Sequence, residues 1–427
     1  MRVHLEYGRS GRDVELPGQH LVKCLEYQSA EPLVDPEGAV SESLSQPVGA
    51  SPLADLARGR RDACLLISDF TRPVPNRIIL PPILATLQSA GIPREKILIL
   101  NATGMHRPNL GTELEEIVGP LVFGKYRIEN HHGRELSEHT CLGESPRGVP
   151  AWIDSRYLRA DLKISTGLIE PHFMAGFSGG RKLICPGIAA AETIRRWHSP
   201  RFLEHPNARS GCLRDNPVHE ESTAVARMAG CDFIVNVVID AARQILFVTA
   251  GEMEAAFQRG AEFARRSATD TIAEAVDVVV TTSAGYPLDA TFYQSVKGMV
   301  AALPIVKPGG TIVLAAEMGE GIGSEDFQRL FDENATAEAF MERVLGSDYY
   351  VPDQWQLEEL AKVLRKAKVK VVTDGLPPAV LERLFVEPAR SVEAAVSDAL
   401  AEHGPDATIA AIPHGPYVIA ELAPRRQ

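Results

Sequence analysis

Short apolar runs recur along this chain, each closing on polar or glycine residues, with stretches of helical length between several of them. Cys64–Asp69, Lys96–Leu100, Asp161–Thr166 and Phe233–Ile239 form a first series, and Val276–Thr282, Gly310–Ala316 and Val369–Thr373 a second. Such runs suit buried strands, and their alternation with helices predicts an α/β fold with mainly parallel sheets. Helices are expected over 78–90, 252–267, 325–345, 355–367 and 391–402, and the alternating Val3–Tyr7 predicts a β-rich start within residues 1–55.

A chain of 427 residues exceeds the size at which one hydrophobic core stops growing. Two α/β domains are therefore expected, with an active-site cleft between them. Residues 1–270 are read as the N-terminal domain, completed by the C-terminal segment 400–427, and residues 271–399 as the C-terminal domain. Ligands of open α/β sheets sit beyond the carboxyl ends of strands, so polar residues just after each apolar run are where chemistry is sought.

The content of 45% hydrophobic and 23% charged residues is that of a soluble globular protein. A net charge of -12 argues against nucleic acid as a partner, so an anionic ligand needs a local cluster of cations. The six cysteines form no CxxC pair, which disfavours a disulfide framework or thiolate zinc site. Met1–Leu5 leads into charged residues and no long apolar run follows, so a cytoplasmic protein without a membrane partner is expected.

Four segments follow strands. In Ser68–Pro73, Arg72 offers a planar fork for a carboxylate or phosphate on a turn stiffened by Pro73; a surface turn with a paired arginine is the alternative. In Asn101–Pro108, His106 is an acid or base near neutral pH, or a solvated loop histidine. Glu170–Lys182 is the densest segment. After His172 come Gly176, Gly179 and Gly180, which would let backbone N–H groups approach an anion, and then Lys182, whose amine Arg181 and burial would hold below its usual pKa, favouring covalent use. A phosphate loop without covalent chemistry, or a tight turn, is the alternative, and the GxxxxGK[ST] pattern is absent. His198 is a candidate ligand for a transition metal, or else a packed or capping histidine. Neither HExxH nor three clustered ligands lies near it, so a metal there would take most ligands from outside the chain. In Gly285–Gly298, Gln294 and Lys297 share one helical face and are placed to close over a carboxylate held by Arg72, or form a solvated first turn.

Other patterns carry less. Gly319–Gly323 lacks GxGxxG spacing and is read as a turn near the cleft. His131, His132 and His139 flank the polar Gly133–Glu135 and are read as a solvated loop rather than a metal cluster. Met174, Tyr293 and Trp355 are candidate pocket walls or ordinary packing.

Together, SDxTRPxP at 68–75, ATGxHR at 102–107, EPHxxAGFSGGxK at 170–182 and YQSxKG at 293–298, in that order and with His198 at the matching distance, resemble the nickel-dependent lactate racemase family of 2-hydroxyacid racemases and epimerases. The resemblance runs from about residue 60 to Tyr417. It implies an isomerase that inverts the C2 stereocentre of a 2-hydroxy acid through a 2-keto acid, by transient hydride transfer to a tethered nickel-pincer nucleotide. That cofactor is a nickel(II) pyridinium-3,5-bisthiocarboxylic acid mononucleotide. By motif match, Lys182 carries it as a thioamide, His198 is the protein ligand to nickel, and Asp69, Phe70, Thr71 and Arg72 contact cofactor. Arg72, Gln294 and Lys297 match substrate-binding positions, and His106 and His172 the acid/base pair, one for each enantiomer.

The implied partners are a small-molecule 2-hydroxy acid and separate cofactor-maturation enzymes. The substrate stays open among lactate, malate, larger or aromatic hydroxy acids and sugar acids, because Met174 stands where many relatives carry an aromatic. Oligomeric state stays open as well. The competing classes are a non-enzymatic anion- or nucleotide-binding protein, a metal-dependent hydrolase and a nicotinamide dehydrogenase. The last two call for several protein metal ligands and a GxGxxG turn, which the motif regions lack.

Overall fold

Both strand series pair into six-stranded sheets in the structure, a computed structural model describing residues 1–28, 30–240, 242–347 and 349–424. The first sheet runs Ile245–Gly251, Phe233–Ile239, Leu162–Leu168, Ala63–Ser68, Ile97–Ala102, Arg127–Asn130, parallel except for its first pair. The second runs Glu387–Pro388, Ala367–Val372, Val306–Ala315, Val276–Thr282, Ile409–Ile412, Leu21–Cys24, parallel throughout.

Burial on both faces explains the continuous apolar runs. Leu65 and Ile67 meet Ile79, Ile83 and Leu87 of the helix Asn76–Ser89, while Leu66 shares the opposite core with Ala256 and Phe257 of the helix Met253–Ala268. In the second sheet Val279 packs with Val296 and Met299 of the helix Phe292–Ala302, and Val278 and Val280 with Val392 and Val396 of Val392–His403. The single helix expected over 325–345 is two, Glu325–Glu333 and Ala337–Gly346, because Thr336 starts the second by accepting from the Ala339 N–H.

The domain ends differ from the sequence reading. Leu21–Cys24 forms the edge of the second sheet beside Ile409–Ile412. The hairpin Arg2–Leu5/Arg12–Glu15 places Val3, Leu5, Tyr7, Val14 and Leu16 in the core under that sheet. The first residues and the strand at 409–412 thus belong to the C-terminal unit, not to the N-terminal one. The exposed or half-exposed positions of the three strands within residues 2–24 gave no continuous apolar run to reveal where they pair.

Strand order fixes where ligands can bind. From Ala63–Ser68 the chain first adds Ile97–Ala102 on one side and later Leu162–Leu168 on the other, leaving a crevice beyond Ser68 and Leu168. Val276–Thr282 is flanked in the same way by Val306–Ala315 and Ile409–Ile412. Among the described residues no helix is long and apolar enough to cross a membrane.

Candidate active site

Loops from the two switch points supply the motif residues. After Ala63–Ser68 the turn is set by Asp69, whose Oδ1 accepts from the Thr71 N–H at 3.1 Å and the Thr71 hydroxyl at 2.6 Å. Its Oδ2 faces Nδ1 of His106 at 2.7 Å. Asp69 is buried and His106 half exposed, so a fixed carboxylate orients an imidazole that can offer Nε2 to a reacting group. Phe70 turns to the surface, with the Arg107 guanidinium 4.6 Å above its ring.

His172 stands on the small hairpin Pro171–His172/Gly176–Phe177. Its Nδ1 accepts from the Met174 and Ala175 N–H groups at 3.3 and 3.2 Å, which puts the ring proton on Nε2, 2.7 Å from Nζ of Lys182. Burial, then the charges of Lys182 and Arg72, hold His172 well below the usual histidine pKa. Burial, then Arg72 and Arg181, hold Lys182 well below the usual lysine pKa. Both groups are thereby driven toward their neutral forms, with the imidazole N–H donating to the amine.

Across the cleft, Thr291 caps the helix Phe292–Ala302 by accepting from the Gln294 N–H at 3.3 Å, and Oε1 of Gln294 accepts from Lys297 Nζ at 2.5 Å. Burial, then Arg72, push Lys297 down to about 7. Arg72 Nε lies 3.4 Å from Oε1 of Glu170, a partner that motif reading left without a role. The Phe173 ring stacks on His172 at 5.1 Å and has Lys297 Nζ 5.7 Å from its centre, so segments far apart in sequence converge on one cation-rich cleft.

His198 caps the helix Ala191–Trp197 at its carboxyl end. Its ring stacks on Trp355 at 4.7 Å and tilts against Trp197 at 4.3 Å. Its Nδ1 is buried with no hydrogen-bond partner among the described residues, and burial, then Lys182, bring its pKa down to about 3. Trp355 comes from the helix Gln354–Lys366 of the C-terminal domain, and its Nε1–H donates to the Tyr293 hydroxyl at 2.9 Å. Trp355 has no motif around it, so its seat on His198 was not readable from spacing.

Comparison with known proteins gives the family. Residues 7–211 match the family described as lactate racemase N-terminal domain and residues 271–420 that of the lactate racemase C-terminal domain. The chain belongs to the lactate racemase family. It is an isomerase of that family, 38% identical to the lactate racemase of Thermoanaerobacterium thermosaccharolyticum over 98% of each chain. It is 37% identical to that of Lactiplantibacillus plantarum over 90% of each chain. The solved lactate racemase apoprotein from T. thermosaccharolyticum superposes with a TM-score of 0.93 at 36% identity, over 98% of this chain and 100% of that one. A protein from Thermotoga maritima shares the fold, with a TM-score of 0.70 at 17% identity over 93% of this chain and 100% of that one.

Within this racemase family member three groups of residues pack more tightly than spacing alone showed. Gly176, Gly179 and Gly180 are close-packed on their Cα side. Each has positive φ, and a Cβ on them would meet Cys212 O at 2.3 Å, Ile169 at 2.7 Å and the Phe257 ring at 2.8 Å, while the Gly180 N–H donates to Asn236 Oδ1 at 2.7 Å. The turn is packed from behind by the protein, which aims Lys182 forward. His131 and His139 are buried rather than solvated, with their Nε2 atoms 2.8 Å apart, and burial takes His131 down to about 3. Thr103 and the Glu135 carbonyl engage the pair, so it forms part of the packing beneath the His106 turn; His132 alone stays partly exposed, beside Glu138. Met174 is 1% exposed, packed inside the first core.

Proposed function

We propose that the chain inverts C2 of a lactate-like 2-hydroxy acid, using a nickel-pincer nucleotide tethered at Lys182. One observation carries this reading. A lysine amine held toward its neutral, nucleophilic form lies buried against His172 in a cleft of cations, beside a histidine with an orphaned ring nitrogen.

The residues suit the cofactor on their own evidence. A buried ring nitrogen without a partner is costly, and a nickel ion would satisfy it. Among the described residues no three His, Cys, Asp or Glu side chains gather as a metal site, so other ligands would come from the cofactor, loaded by separate maturation enzymes. When bound, that group supplies an electrophilic pyridinium carbon able to take the C2 hydrogen as hydride, which avoids a carbanion beside an ionised carboxylate.

The chain's own groups do the rest. Arg72 and Lys297, from opposite domains, hold the substrate carboxylate, and Gln294 keeps Lys297 in place. His106, oriented by Asp69, exchanges the hydroxyl proton of one enantiomer through Nε2; His172 does so for the other once Lys182 is tethered and no longer receives its Nε2 proton, the ring then taking the tautomer that leaves Nε2 as acceptor. The carboxylate clamp retains the planar 2-keto acid while its face is exchanged.

The test is racemisation of enantiopure lactate in D₂O by cofactor-loaded protein, read by chiral chromatography and mass spectrometry. Inversion with the C2 hydrogen retained is expected. Solvent deuterium appearing at C2 would replace hydride transfer by proton abstraction, and no inversion of any 2-hydroxy acid would favour an anion-binding protein.

A further inference from the structure

A cavity of about 440 Å³ has Lys297 and Phe173 on its wall, so it adjoins the substrate side of the cleft at Lys297. That size falls in the ~300–1,000 Å³ range of small-molecule pockets and far exceeds the need of a methyl group. It meets the site at Lys297, on one helix face. Lys297, Val300 and Ala301 stand at i, i+3 and i+4 of Phe292–Ala302, so the face that offers Lys297 to a carboxylate continues as aliphatic wall. Val418 and Ile419 add to that wall, and the Phe173 ring stacks on His172 at 5.1 Å.

Charge decides what the cavity takes. The cations on its wall other than Lys297 are already matched: Lys362 with Glu359 at 2.7 Å, Arg365 with Glu204 at 2.7 Å and Arg209 with Glu421 at 3.7 Å. A second carboxylate would find no unmatched cation there, and a polyhydroxylated chain a mostly apolar surface with one hydroxyl unpartnered among the described residues, that of Ser210. An apolar group would leave no further polar group or charge unpaired.

We infer that this cavity receives the side chain of the substrate, and that the chain acts on 2-hydroxy acids whose side chain is apolar and larger than methyl, branched aliphatic or aromatic. The inference rests on the racemase reading and narrows its substrate. The carboxylate lies at Arg72 and Lys297, and the side chain runs along the helix past Val300 and Ala301.

Cofactor-loaded protein is assayed by chiral chromatography with enantiopure lactate, malate, 2-hydroxy-4-methylpentanoate and 3-phenyllactate. A preference in kcat/KM of about 10–200-fold for either larger apolar acid over lactate is expected, the range a hydrophobic pocket gives per added group. Ala301→Phe, which fills the cavity from the helix face, should lower that ratio at least about tenfold. Saturation-transfer NMR on the same proteins should show phenyl protons of 3-phenyllactate in contact with wild type and not with the variant. Lactate or malate preferred by the unmutated protein overturns the inference and leaves the racemase reading intact. A ratio unmoved by a folded Ala301→Phe overturns it too, and inversion of none of the four acids overturns both.

Discussion

Asp69 and Lys182 place the two imidazoles of the site in opposite electrostatic settings: His106 faces a buried carboxylate, His172 a set of buried cations. Replacing either histidine by Ala should lower inversion by roughly 10²–10⁴-fold while nickel content, measured by elemental analysis, is kept. Lys182→Ala should remove the covalent adduct, and intact-protein mass spectra that still carry it would refute the tether. Lys297 brings a pH dependence. It is charged below about 7 and loses its charge as pH rises through that value, while the substrate carboxylate stays ionised, so kcat/KM should fall on the alkaline side. Lys297→Arg stays charged and should flatten that limb; an unchanged profile would remove Lys297 from the clamp. These residues were legible because the motifs hold them at fixed spacing. The purpose of Gly179 and Gly180 was not, because the atoms they make room for belong to Ile169, Asn236 and Phe257 on other elements.

At the level of elements, strands buried on both faces announced themselves as apolar runs, whereas Leu21–Cys24, a half-exposed edge strand containing Lys23, did not. The helix Gln354–Lys366 was visible as a helix, but not as the element that seats Trp355 on His198. It also buries Glu358, whose Oε2 has no partner among the described residues and whose Oε1 accepts from Gln354 Nε2 at 3.1 Å. Burial raises this carboxyl from 4.5 to about 8. Its contribution to stability is therefore greatest below 4.5 and is lost as pH rises toward 8, because the unfolded chain ionises first. Glu358→Gln keeps the acceptor for Gln354 and removes the titration. It should stabilise the protein by about 1–3 kcal/mol at pH 9 and by much less at pH 4.5, read from thermal unfolding at both. Equal effects at the two pH values would show that Glu358 is not held protonated by the fold.

For the whole molecule, the C-terminal domain brings Gln294, Lys297 and Trp355 to a site whose other residues lie on the N-terminal one, and the first residues of the chain belong to its core. Leu5 is fully buried there with Val278, Val280 and Val313, and the adjoining backbone is tied in by Glu6 N–H to Pro413 O at 3.2 Å and Gly8 N–H to Asp289 Oδ2 at 2.6 Å. Leu5→Ala should thus cost about 2–5 kcal/mol, a large part of the ~5–15 kcal/mol that holds a typical domain together. The loss falls on a definite unit. Amide hydrogen exchange should speed up in Val276–Thr282 and Val306–Ala315, the strands over Leu5, and stay near the wild-type rate in Ala63–Ser68 and Ile97–Ala102. Leu65→Ala, in the core of the first sheet, should give the converse pattern. If Leu5→Ala instead loosened the first sheet, residues 1–25 would belong energetically with the N-terminal domain, despite the hydrogen bonds that join Leu21–Cys24 to Ile409–Ala411.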